Sequence, residues 1–191
     1  MGTAVWLATN RSADCATVKA MLTYVTARED APYNVRLVSA QAACNLWTSP
    51  PFADLLLSPP LASLVTALIT GFLLDREHKG LRAAASSVAF LVATHVQRER
   101  STKHKEVLPD ETLIELAASF VEAIDRETES ADVVRALTLS VALVFYCIPE
   151  TSDLPHMLHA LDTSQVLEKK AASATPVVDG PLCMEIAALV K

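Results

Sequence analysis

The chain has only four glycines in 191 residues. Loops that cradle phosphate need closely spaced glycines, and neither a GxGxxG nor a P-loop occurs. A GxSxG nucleophile elbow is missing too. Aromatic residues make up 5% of the chain, so the core is aliphatic. The four cysteines, Cys15, Cys44, Cys147 and Cys183, show no CxxC spacing. Cys44 and Cys147 sit in apolar runs, where a thiol behaves as a small hydrophobe. Four reduced thiols fit the cytoplasm, and equally the nucleus. No basic leader follows Met1, so no secretory signal is expected. The longest apolar run, Ala136 to Ile148, covers 13 residues and includes Thr138 and Ser140. A membrane span needs about 20, so no membrane role is expected. Positive charge is also scarce: the formal net charge is −6, which argues against nucleic-acid binding. Strict polar–apolar alternation never lasts more than a few residues, so strands are not expected.

What the chain does have is a recurring apolar helix. Asn34 to Trp47 is apolar on most of a helical wheel, interrupted by Arg36, Ser39, Gln41 and Asn45. Such a helix is normally sandwiched between others. The pattern returns from Arg82 and again from Arg135. Each copy opens with Arg, has a small polar residue five places on (Gln41, Ser87, Ser140), and ends apolar. The Arg-to-Arg spacings are 46 and 53. The first falls within the roughly 40–47 residues of helical solenoid repeats, and the second is a little longer. An amphipathic helix precedes each copy: 13–27 before 34–47, 61–74 before 81–97, and 112–125 before 131–147. The expectation is an all-α solenoid of stacked helix pairs, one domain over residues 1–191, alone or as part of a larger protein. A shorter helix lies between two Pro pairs near 52–57. Further helices are expected near 156–161, 164–172 and 182–190.

Charge is uneven. From Arg76 to Lys105 there are seven Lys/Arg against Glu77 and Glu99. This segment is either a solvated charged loop or an attractor for an acidic ligand. His156 and His159 share a helical turn, but no third ligand completes a zinc set, so no metal and no cofactor are expected. His95 reads as a hydrogen-bonded core residue. Glu111, Glu115, Glu122 and Asp125 read as solvent-face carboxylates. Arg36, Arg82 and Arg135 have two readings. They cap loops or pair with local acids such as Asp132, or they form a ladder on one face. Arg holds a carboxylate bidentately, and such a ladder suits an extended acidic peptide.

Arg36-Leu-Val-Ser-Ala-Gln-Ala-Ala-Cys-Asn-Leu-Trp47, followed by Pro50, resembles the first spine segment of PUL domains. These occur in the phospholipase-A2-activating protein and its fungal relatives. His78-Lys79-Gly80-Leu81-Arg82 and the Ala-rich start that follows resemble the next spine, and the Arg135 helix a later one. The similarity runs over about residues 10–165. It implies an armadillo-like fold without catalytic activity. It also implies binding of the acidic C-terminal tail of valosin-containing protein, the hexameric AAA segregase, in ubiquitin-dependent turnover. By position it points to Arg36, Asn45, Lys79, Arg82 and Arg135 as peptide-binding residues. Gln41 stands where the family pattern has a second Arg. Two alternatives stay open: a helical scaffold for an unrelated partner, and an enzyme using Cys44 or Cys147 as nucleophile.

Overall fold

The computed structural model describes residues 15–27, 31–47, 50–147, 161–173 and 179–190. The expected helix near 156–161, with His156 and His159, lies outside them. All described regular structure is helical: α1 (Cys15–Ala27), α2 (Tyr33–Trp47), α3 (Pro50–Leu56), α4 (Pro59–Leu73), α5 (Lys79–Lys103), α6 (Asp110–Arg126), α7 (Ala131–Cys147), α8 (Thr163–Ala171) and α9 (Gly180–Leu189). The fold class is therefore all-α, with helices packed in the repeat-like arrangement of an α-solenoid. None of the described helices is long and apolar enough to cross a membrane.

The chain divides into two compact units, Met1–Leu91 and Val92–Lys191. In the first, α1 buries Val18, Leu22 and Val25, one stripe at helical spacing, and packs on α4. The α4 helix answers with Leu61, Val65, Leu68, Ile69 and Phe72. It starts directly on Pro59 and Pro60, because proline in a first turn sacrifices only an amide that lacks an intrahelical partner. In α2 the buried side chains are mostly small: Ser39, Ala40, Ala42 and Ala43, with Leu46 and Trp47.

The expected sandwiching of α2 holds for only part of its surface. Asn34, Val38, Gln41 and Asn45 form an exposed stripe, and Val38 is 50% exposed. These positions recur at four and three residues, so they fall on one line. The first turns of α5 touch α2. The Cys44 thiol reaches the Ala84 carbonyl at 3.6 Å, and a Cβ at Gly80 would lie 3.7 Å from Leu37.

In the second unit α6 packs on α7, α8 on α6 and α9, and α9 on α7. The α6 helix buries the Leu113, Leu116, Ala117, Phe120, Val121 and Ile124 face. With α6 and α9 both against it, α7 buries Val133, Val134, Leu137, Thr138, Ser140, Val141 and Val144. That is the sandwiched helix its composition predicts.

Past Gln97, where the sequence allows either fraying or continuation into the charged stretch, the α5 helix continues to Lys103. Local pairs sustain the extension. Lys103 bonds Glu99 at 3.0 Å, Gln97 bonds Ser101 at 3.1 Å, and Arg98 lies 2.9 Å from the His95 ring. Pairs three and four apart stabilise a helix that lacks an apolar period. His104, at φ 50°, then turns the chain out of the helix.

Candidate functional site

The turn between α4 and α5 gathers a dense set of polar contacts. Its centre is Asp75. One carboxylate oxygen, Oδ1, accepts the Glu77 amide at 3.0 Å and the His78 amide at 2.8 Å. Aspartate commonly folds back this way onto the backbone two or three residues on. The turn delivers His78, whose carbonyl accepts the Leu81 and Arg82 amides as α5 begins. The His78 ring Nδ1 also lies 3.0 Å from Oδ1, and Tyr33 of α2 stacks on that ring, centroids 4.5 Å apart.

The other oxygen, Oδ2, faces Arg36 Nη2 at 3.0 Å, with the arginine side chain 17% exposed. The Arg36 guanidinium lies over the Phe72 ring at 4.9 Å, a cation–π contact. Arg82 Nη1 donates to the Asp75 carbonyl at 3.2 Å and to that of Arg76 at 3.5 Å. Burial works to raise the Asp75 pKa. The amides of His78 and Glu77, the His78 ring and Arg36 outweigh it and hold the carboxyl below its usual value.

The five candidate residues are thus not one group. Arg36 and Arg82 meet at Asp75, the first on its side chain and the second on its carbonyl. Lys79 is exposed in the first turn of α5. Asn45 is exposed on the outer stripe of α2. It is nine residues beyond Arg36, which at about 100° per residue puts it on the opposite side of that helix. Arg135 is exposed on α7 of the second unit. The small polar residues of the three spines also differ. Gln41 and Ser87 are exposed, whereas Ser140 is fully buried and donates to the Ala136 carbonyl at 2.7 Å.

Most of the basic segment is engaged within the protein. Arg98 and Lys103 both pair with Glu99, whose side chain is 1% exposed. The Lys103 hydrogen bond, against the opposing effect of burial, holds the Glu99 pKa below its usual value. Arg100 pairs with Asp110 at 2.7 Å and donates to the Leu108 carbonyl at 2.7 Å and the Cys147 carbonyl at 3.2 Å. Arg76, Lys79 and Lys105 are exposed.

Residue patterning did not single out Asp75, which lies one position before the basic segment as counted. It also missed Tyr33, and it took Arg100 only as one of the seven cations of the basic segment. A usable signal was present: an Asp just past the end of an apolar helix, with His three residues on, is a turn-closing pattern.

Burial pushes the Cys44 and Cys147 thiols up to about 11, and raises that of Cys183 as well. A nucleophilic cysteine needs the opposite shift. In the second unit the ends of α7 and α9 also form a shallow apolar pocket of about 180 Å³. Ala142, Phe145, Tyr146, Leu189 and Val190 line it.

The comparisons with curated proteins and with solved structures gave no match. The family model of the PUL domain matches residues 2–187. That is nearly the whole chain, and it includes both the Arg36 helix and the turn that holds Asp75: the protein belongs to the PUL domain family.

Proposed function

We propose that this protein-interaction domain binds an acidic peptide, with the C-terminal tail of the AAA segregase as the candidate partner. The site we assign lies in the first unit, along the exposed stripe of α2 and the basic start of α5. The observation that carries this reading is the pairing of two surfaces. Asn34, Val38, Gln41 and Asn45 present amides and a valine to solvent on α2. The α5 helix, which meets α2 at Leu37 and Cys44, opens with Lys79 and Arg82, and Arg76 stands just ahead.

An extended peptide offers backbone groups that side-chain amides can bond, and its carboxylates match lysine and arginine. Lys79 and Arg82 are the primary cations of the site, and Asn45 the amide at its far end. Arg36 contributes from behind Asp75. Arg135 offers an exposed guanidinium for the same class of peptide on the second unit. No step of this reading needs catalysis, and the high thiol pKa values disfavour a cysteine enzyme. Turnover of ubiquitin-marked proteins, in cytoplasm or nucleus, is the setting the segregase partner would give it.

The test is a fluorescence-anisotropy titration of the labelled tail peptide, with wild type and the Lys79→Glu/Arg82→Glu variant. Micromolar binding that falls with salt and is lost in the double variant supports the site. If the folded wild type does not bind, the reading is wrong. Binding that ignores salt would move attention to an apolar surface, beginning with Tyr146 and Leu189.

A further inference from the structure

Resting on that reading, we infer that Asp75 is an internal competitor for the peptide's carboxylates: its Oδ2 occupies Arg36, and a peptide acid gains that arginine only by displacing it. The two oxygens of this carboxylate do different work. Oδ1 is committed to the turn through the Glu77 and His78 amides and the His78 ring. An incoming peptide cannot replace it without unmaking the start of α5. Oδ2 makes one ion pair, to Arg36 Nη2. That pair joins α2 to the turn through side chains alone, so it can exchange partners while the backbone stays put.

Arg36 is suited to such an exchange. Its guanidinium rests on Phe72, which holds the planar group without using its N–H donors. Arg82 is anchored to the Asp75 and Arg76 carbonyls at the same turn, and Lys79 follows one residue after His78. The turn therefore brings several cations together, with one carboxylate already seated among them. In the resting protein Asp75 neutralises Arg36, so Arg36 adds little to peptide affinity. The carboxylate sets a threshold: a peptide with one acid meets Lys79 and Arg82, whereas one with successive acids can also compete for Arg36. Asp75 is thus a specificity-determining residue for acid-rich partners.

Asp75→Asn separates the two halves. The amide oxygen still accepts the turn's N–H groups. The amide nitrogen is a donor facing a donor, so Arg36 is released. The measurement is the same peptide titration, run on wild type, Asp75→Asn, Arg36→Gln and the double variant, with helicity checked by circular dichroism. Asp75→Asn should bind about fivefold more tightly, the size expected for one partly exposed ion pair. Arg36→Gln should change wild-type affinity less than twofold, and in the double variant it should cancel the gain.

Weaker binding by folded Asp75→Asn, or an unchanged affinity, would overturn the inference, since Asp75 would then only shape the turn. Loss of wild-type binding in Arg36→Gln would also overturn it, and this arm stands even if Asp75→Asn does not fold. If wild type itself fails to bind, the underlying function is what fails. In that event a gain of binding in Asp75→Asn alone would still show the competition.

Discussion

Asp75 in the first unit and Arg100 in the second are charge hubs of opposite polarity. In the first, a carboxylate collects donors: Asp75 takes two amides, an imidazole and Arg36. In the second, a guanidinium collects acceptors: Arg100 takes Asp110, the Leu108 carbonyl and the Cys147 carbonyl. The difference lies in what can be exchanged. Most of Asp75's bonds belong to its own turn, and its one distant partner is a side chain. Arg100 instead reaches backbone carbonyls at the end of α7 and before α6, and a backbone carbonyl cannot swing aside by a change of rotamer as a side chain can. An arginine with planar, multiple donors serves as a rivet there. On the proposed reading the charge at Asp75 answers a ligand, whereas the charge at Arg100 holds the fold.

The sharpest way to break this contrast is Arg100→Ala. Its side chain is only 12% exposed. Removal strands Asp110 and two carbonyls, which should cost about 3 kcal/mol or more. Asp75→Asn, which keeps the turn's acceptor, should cost about 1 kcal/mol. Urea unfolding followed by circular dichroism gives both numbers. Equal losses would mean that Asp75 is as structural as Arg100, and the contrast would collapse.

Thiol labelling sharpens the same comparison, because each unit carries its own reporter. Cys44 bonds a carbonyl in the first unit, and Cys147 is the residue whose carbonyl Arg100 holds in the second. With pKa values of about 11, roughly one thiol in ten thousand is ionised near neutral pH. Iodoacetamide should therefore react slowly with the native protein and faster as each site opens. Mass-resolved labelling across a urea series should show Arg100→Ala advancing Cys147 more than Cys44. If both cysteines advance together, the hub does not act locally.

Much of the fold was legible because it rests on short-range periodicity. The α7 helix spans the expected residues without a shift, since Val133, Leu137, Val141 and Val144 state one face and Pro149 follows soon after. The end of α5 was legible only as a choice between fraying near Gln97 and continuing into the charged stretch. The apolar period stops near Val96, and what carries the helix on to Lys103 is a set of polar pairs around the buried Glu99. The site was half legible. Arg36 and Arg82 recur at matching places in the sequence pattern, and both are indeed committed to polar partners. What the pattern could not supply is that their common partner is Asp75, 39 residues from Arg36 and outside the repeat. Pattern reading aligns helices with one another; an ion pair to a connecting turn belongs to no helix. The same limit applies to Ser140. Its place in the repeat matches the exposed Gln41, but α7 is packed by both α6 and α9, and the position is buried.

Acid pH should produce the smallest and most specific effect. Asp75 in the folded protein titrates below its ordinary 3.8. A depressed carboxyl pKa adds stability that is present above the unfolded value and is lost as pH falls through the folded one. The turn should therefore weaken below about pH 4 and be unaffected near neutrality. Glu99 in the second unit is depressed for the same kind of reason, so the whole protein loses stability in acid, and only a subtraction isolates Asp75. Asp75→Asn cannot protonate. The stability difference between wild type and this variant should shrink as pH falls below about 4. The probe is the thermal midpoint at each pH. A gap that stays constant to the lowest pH at which the protein folds would mean that the carboxylate's charge does not matter at this turn. In that case the ion pair with Arg36 would contribute geometry alone, and releasing it would give an acidic peptide nothing to gain.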